Sequence, residues 1–437
     1  MSANVYLVSL GCDKNRVDGE TMVGTLINAG YSVVNEPEEA AVIIVNTCGF
    51  IREAVEESIN LILELSEFKT EGNCKALVVV GCMAERYRDE ILEAIPETDV
   101  IVGVGDYENI AATVGNIVGV KLSSKKTKHA RLAARADDPT PHIAYIKIAE
   151  GCDNHCTYCT IPSIRGPYRS RTMEDILEEA QALTKAGAKE LVLVAQDTAL
   201  YGTDIYKEKK LPELLRLLAA ESGAVWIRLM YAYPEHITEE LITTMAELPQ
   251  VCNYIDMPIQ SSRSNILKRM GRGGSTKKLM ELISLLRKRM PDIAIRTTLI
   301  VGFPGEDIVD FESTCDFVKK VRFDRMGVFP YSQEEGTPAA AMPKQTSENV
   351  KQKRLAEIMG LQQRIHFRKQ MSQVGKVLDV IVDAVDSDGT YTGRSRYDAF
   401  DVDSVVIFTS DTPLSVGDIC NVEITDSYGY DLKGRTI

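Results

Sequence analysis

Three cysteines within eight residues carry the strongest chemical signal in the sequence. The segment EGCDNHCTYCTIP spaces Cys152, Cys156 and Cys159 as C-x-x-x-C-x-x-C. Three thiolates converging in one short loop suit one metal centre. A structural zinc site needs a fourth ligand, usually from a second pair at a distance. The chain has no second C-x-x-C, and His155 is too close to Cys156 in sequence to reach the same metal easily. Three thiolates therefore point to an iron–sulfur cubane with one iron left open. Purely structural cysteines have no reason to adopt this spacing.

A second set is spread out. Cys12, Cys48 and Cys82 stand in SLGC, NTCG and VGCM, each between an apolar run and a helical pattern. In an open parallel sheet, the loops at the carboxyl ends of the strands line one crevice. Three cysteines distant in sequence then meet there, which suits a second cluster with three ligands. Cys74 precedes its strand and is expected at the opposite edge. With Cys252, Cys315 and Cys420 it reads as structural.

The elements that must position these residues follow from hydrophobic periodicity. VYLVSL, VIIVNT and ALVVVG alternate with helical stretches up to about Gly119, the pattern of a parallel sheet covered on both faces. From Ile143 six further strands are expected, at 144–149, 190–195, 225–231, 253–259, 294–301 and 325–331. Helical stretches separate them, so six βα units suggest a partial barrel. The tail from Gln373 has short β-rich pieces between turn residues, a small all-β barrel. The expected fold class is α/β. A parallel N-terminal domain (1–120) is followed by a linker (121–141), a partial (β/α)6 barrel (142–372) and a C-terminal β-barrel (373–437).

Composition narrows the partners. The chain has 437 residues, ten cysteines and a formal net charge of −13. No run of about 18 uncharged apolar residues suggests a membrane span. The N-terminus lacks the basic start of a secretory signal, so a cytoplasmic location and reduced cysteines are expected. Nucleic-acid binders carry basic surfaces, yet the tail from Gln373 holds five Lys and Arg against twelve Asp and Glu, a net −7. The basic stretch Lys121, Lys125, Lys126, Lys128, His129, Arg131 and Arg135 is the one departure, and it reads as a solvated linker.

The C-x-x-x-C-x-x-C motif, with Tyr158 before its last cysteine, resembles the signature of the radical S-adenosylmethionine superfamily. That resemblance implies a [4Fe–4S] cluster whose open iron chelates the cofactor and cleaves it to a 5′-deoxyadenosyl radical, which attacks an inert C–H bond. With the second cysteine set and the TRAM-like tail, the whole chain resembles the methylthiotransferase family, which implies two [4Fe–4S] clusters and S-adenosyl-L-methionine. AQDTALYG, LMYAYP, YSQEEGTPA and YDLKG resemble the branch that modifies the β-carbon of an aspartate in the decoding-centre small-subunit ribosomal protein numbered twelve. The tRNA branch typically has an Asn pair at Asp197 and Thr198, and Arg at Glu334 and Glu335. The acidic tail argues in the same direction, for a basic ribosomal protein and against tRNA.

The resemblance also suggests cofactor contacts: Tyr158, Gln196 and Asp197 after the second barrel strand, Arg296 at the barrel mouth, and Gly302 where backbone approaches adenine. An ordinary strand-end salt bridge is the competing reading of Arg296. Asp398, Asp401 and Asp403, in an expected hairpin, are read as an acidic surface that binds the basic substrate. A flavodoxin- or ferredoxin-like protein is expected as electron donor. The competing functions are a tRNA adenosine methylthiotransferase and a non-catalytic RNA- or ribosome-binding metal protein.

Overall fold

A computed structural model describes residues 3–119, 128–137 and 140–437. Two compact units emerge. One gathers the N-terminal residues with Glu150–Asn154 and Cys159–Arg169; the other holds Thr140–Ala149, His155–Tyr158 and Ser170–Ile437.

The first unit is built on a five-stranded parallel sheet. Its strands lie in the order Ser32–Val34, Asn4–Ser9, Val42–Thr47, Ala76–Gly81, Thr98–Val102. The central strands VIIVNT and ALVVVG are buried at every position. Their side chains alternate between two cores, Val42, Ile44, Val78 and Val80 on one face and Ile43, Val45, Leu77 and Val79 on the other. That alternation explains why the runs are continuously apolar. The helical stretch after ALVVVG is two helices, Cys82–Arg86 and Arg88–Ala94.

The expected linker needs correction in its second half. Lys121, Lys125 and Lys126 lie outside the described residues. Ala130–Asp137 is a 3-10 helix. Arg131 is buried and pairs with Glu20 at 2.9 Å, and Arg135 is buried too. These bases serve packing, not a solvated tether.

In the second unit six parallel strands follow one another in space as in sequence: Ile143–Lys147, Glu190–Val194, Trp226–Leu229, Val251–Asp256, Ala294–Val301 and Arg325–Pro330. The sheet does not close, so the barrel is partial. Its helices begin where short polar side chains satisfy the first free N–H groups. Thr172, Thr238, Ser275 and Asp307 accept from Asp175, Leu241, Lys278 and Asp310. The tail forms a closed five-stranded barrel around Val380, Val382, Phe408, Val422 and Ile424.

Candidate functional site

In the first unit the three N-terminal cysteines follow three adjacent strands at their carboxyl ends. Cys12 precedes the helix Asp13–Ala29, and Cys82 opens the helix Cys82–Arg86. Cys48 follows Val42–Thr47 directly. The chain turns into these loops through glycines. Gly11 has φ +91°, and a Cβ there would lie 3.0 Å from the Cys48 sulfur. Gly81 has φ +96°, and a Cβ would lie 2.5 Å from the Thr47 carbonyl. Only glycine combines that backbone with that closeness.

The thiols sense one another. Burial pushes the Cys48 thiol up to about 11, and the charges of Cys12 and Cys82 push the same way while Arg165 opposes. Burial also raises Cys82, again against Arg165. Among the described residues no three His, Cys, Asp or Glu side chains converge on a single-ion site. A cubane is a different demand, because each thiolate binds its own iron and the sulfurs stay apart.

Two side chains tie these loops together. Asn15 donates from Nδ2 to the carbonyls of Leu10 at 2.7 Å and Thr47 at 3.0 Å, ahead of Cys12 and Cys48. Its Oδ1 accepts from Arg165 Nη2 at 3.0 Å, and the same nitrogen lies 3.3 Å from Cys82 Sγ. Arg165 Nη1 reaches Asp18 at 2.8 Å and Glu150 at 3.1 Å. Sequence reasoning missed both residues.

Of the clustered cysteines, Cys152 and Cys159 fall in the first unit and Cys156 in the second. In the first, Cys152 donates its backbone N–H to Gly166, Asp153 accepts from the Tyr168 N–H, and Cys159 Sγ accepts from Ile161 at 3.4 Å. In the second, Thr157 donates to the carbonyls of Met270 and Arg269 and accepts from Ala339. Tyr158 packs edge-on against Phe303. The Tyr233 hydroxyl touches the Cys156 sulfur. Arg272 lies 3.6 Å from the Tyr233 ring centroid and pairs with Glu235 at 3.0 Å. Tyr233 stands in the LMYAYP motif, but nothing in the sequence marks it as a cysteine neighbour.

The expected cofactor contacts fare unevenly. Gln196 stands two residues past the end of the second barrel strand. Asp197 is fully buried; it caps the turn at Ala199 and pairs with His236 at 2.6 Å, so its carboxylate serves the protein. Gly302 gives its N–H to Glu306, and its open side is filled by Lys351. Arg296 is corrected. It is the third residue of its strand, far from the strand's carboxyl end, and pairs with Asp256 at 3.1 Å and Asp403 at 3.7 Å. It lines a cavity of about 290 Å³ with Arg325, Gln362, His366 and Tyr430. The reason is pairing, since two carboxylates already take up its guanidinium.

Two of the three expected substrate-binding aspartates are corrected as well. Asp398 is 3% exposed and pairs with Arg325. Asp403 accepts from the Tyr254 hydroxyl at 2.6 Å and its side chain is 1% exposed. Both fasten the tail barrel to the strand barrel. Asp401 is exposed, with φ 62°. The same fastening continues through Glu190, which Arg228 meets at 2.5 Å and Arg394 at 2.9 Å, while Arg394 also meets Asp383 at 2.7 Å.

A model described as the radical SAM superfamily matches residues 146–318, one described as uncharacterized protein family UPF0004 matches 4–103, and a TRAM domain model matches 374–437. The ribosomal protein uS12 methylthiotransferase RimO of Acetivibrio thermocellus is 47% identical, over 100% of this chain and 99% of the relative. The protein of that name from Desulfitobacterium hafniense is 45% identical over the same shares. This chain belongs to the RimO family. The UPF0004 match spans Cys12, Cys48 and Cys82, the radical SAM match spans the clustered cysteines, and the TRAM match spans the closed barrel. Among solved structures, the radical S-adenosylmethionine methyltransferase TsrM from Kitasatospora setae superposes with a TM-score of 0.59 at 13% identity, covering 83% of this chain and 89% of that one. That likeness extends to the fold. No helix among the described residues is long and apolar enough to cross a membrane.

Proposed function

We propose that this chain inserts a methylthio group at the β-carbon of an aspartate in ribosomal protein uS12. The observation that carries the reading is full-length identity of 45–47% to relatives named for uS12 methylthiotransfer. Cys152, Cys156 and Cys159 hold one [4Fe–4S] cluster, and Cys12, Cys48 and Cys82 hold a second. The donor set suits the second cluster: three thiols on three adjacent loops, with glycine at the closest approach. When bound, the clusters and S-adenosylmethionine supply the radical and sulfur chemistry that no side chain provides. The protein's part is to hold the loops. Thr157 pins the Cys156 segment to the barrel, and Asn15 pins the first two N-terminal loops. An external one-electron donor of the flavodoxin or ferredoxin class completes the system.

Charge supports the choice of partner. Arg394 is buried in ion pairs, whereas Asp379, Asp386, Asp388, Asp401, Asp411, Asp418 and Asp426 are exposed. Seven exposed acids thus stand against three exposed bases, Lys376, Lys433 and Arg435, an acidic surface that suits a basic protein and repels phosphates. Burial of Arg131 and Arg135 also withdraws two bases from an RNA-binding face.

The test is mass spectrometry of uS12 after incubation with reconstituted protein, S-adenosylmethionine and reductant, beside nucleoside analysis of tRNA. Gain of one methylthio group on one uS12 aspartate is the expected result. Modified adenosine in tRNA with unmodified uS12 overturns the substrate. Iron near eight per chain, falling to about four in Cys48→Ala, is expected for two cubanes.

A further inference from the structure

Arg165 is 3% exposed, inside the first unit, at the end of the short helix Ile161–Arg165 that follows Cys159 by two residues. A buried guanidinium is costly unless its donors are matched. Two carboxylates and one amide would serve as ordinary partners, and Asp18, Glu150 and Asn15 provide them. The remaining contact is with sulfur, at Cys82. The residue that touches Cys82 also holds Asn15, which in turn holds the loops of Cys12 and Cys48. All three cysteine loops thus meet one asparagine–arginine pair.

We propose that Arg165 is a positioning residue for the N-terminal cluster: it fixes the Cys82 loop to the other two and raises the cluster's reduction potential by donating an N–H to the Cys82 sulfur. This inference rests on the two-cluster reading above. The sign follows from charge. Reduction adds an electron to a centre held by three thiolates, and a cationic donor at one thiolate stabilises the more negative state. Hydrogen bonds to cluster sulfurs are among the features that set such potentials.

The experiment uses the full-length chain with Cys152, Cys156 and Cys159 all changed to alanine, so that only the N-terminal cluster remains. Into that background go Arg165→Lys and, separately, Arg165→Met with Asp18→Asn. The double change leaves the local net charge as it was while removing the N–H to sulfur contact together with the bonds to Asn15 and Glu150. Iron content, circular dichroism and an electron paramagnetic resonance redox titration are read on each. The Met/Asn variant is expected to show at least a tenfold lower ratio of reduced to oxidised cluster at a fixed poise, about 59 mV for a one-electron couple. The Lys variant keeps the charge and is expected to shift less. Loss of iron from the Met/Asn variant with an unchanged dichroism spectrum also supports the proposal, because the Cys82 loop has then lost its tether. Full iron with an unshifted potential in both variants overturns it while leaving the second cluster standing. Absence of iron in the triple-alanine parent overturns the two-cluster reading, and this proposal with it.

Discussion

Buried arginines appear in two regions and do different work. Where the tail barrel meets the strand barrel, Arg228 and Arg394 converge on Glu190, and Arg394 adds Asp383. Every hydrogen-bond acceptor there is oxygen, and the network holds two sheets together. In the N-terminal unit Arg165 has the same burial and two carboxylates, yet one of its nitrogens faces a thiol. The difference teaches that burial and pairing alone do not separate a clamp from a site. The chemistry of the last acceptor does.

The largest effects should break the two cysteine sets apart. Cys156→Ala is expected to abolish reductive cleavage of S-adenosylmethionine while the N-terminal iron persists. Cys48→Ala is expected to keep 5′-deoxyadenosine formation and lose methylthio transfer entirely. Product analysis by chromatography separates the two; normal methylthio transfer by Cys48→Ala would remove the N-terminal half of the comparison.

The oxygen network comes next. Arg394→Met leaves Glu190 and Asp383 buried with one cation fewer, and breaking such a network costs about 3–5 kcal/mol. The expected result is a lower thermal midpoint and faster proteolysis at the entry to the tail, with iron content unchanged. A parallel loss of iron would show that the two arginine networks are not independent.

How much of this was legible in the sequence depended on range. The cysteine spacings and all six barrel strands rest on local patterns, and they stand where they were expected. The burial of Asp398 and Asp403 rests on partners 73 and 149 residues away, Arg325 and Tyr254. Acidic residues in a turn-rich segment read naturally as surface. A signal was present all the same: WIRL and AIRTTLIV carry an arginine inside a buried parallel strand, which needs a carboxylate from somewhere. Arg165 had no such marker, because TIPSIR reads as an ordinary short helix.

Acid should separate the regions more gently. Burial alone would raise the Glu190 carboxyl, but Arg228 and Arg394 outweigh it and hold it at about 2, below the ordinary 4.5. The stability it contributes is full above pH 4.5 and is lost as pH falls toward 2. Asp256, raised by burial, acts in the opposite sense. Between about pH 4 and 2 the midpoint of the barrel–tail portion is therefore expected to drop in the wild type and to stay flatter in Glu190→Gln, measured by calorimetry.

The smallest effect concerns the exposed acids. Asp379→Lys with Asp411→Lys should slow association with uS12 a few-fold at low salt and converge on wild type at high salt. Asp398→Asn should instead lower stability without a salt signature. Stopped-flow binding and thermal melts tell them apart, and an equal salt response from both would return Asp398 to the surface.

The placement of Arg165 also bears on inheritance. Its guanidinium comes from residues 150–169, while Asn15 and Asp18 come from the first helix. A recombination breakpoint in the interval between Gly103 and Ile146 would join one ancestor's cysteine loops to another's arginine. Such a chimera would leave Asp18 buried opposite a foreign side chain unless both ancestors agreed at these positions. The cysteine sheet and the segment following Cys159 must therefore travel as one heritable module, although some 77 residues of chain separate Cys82 from Cys159.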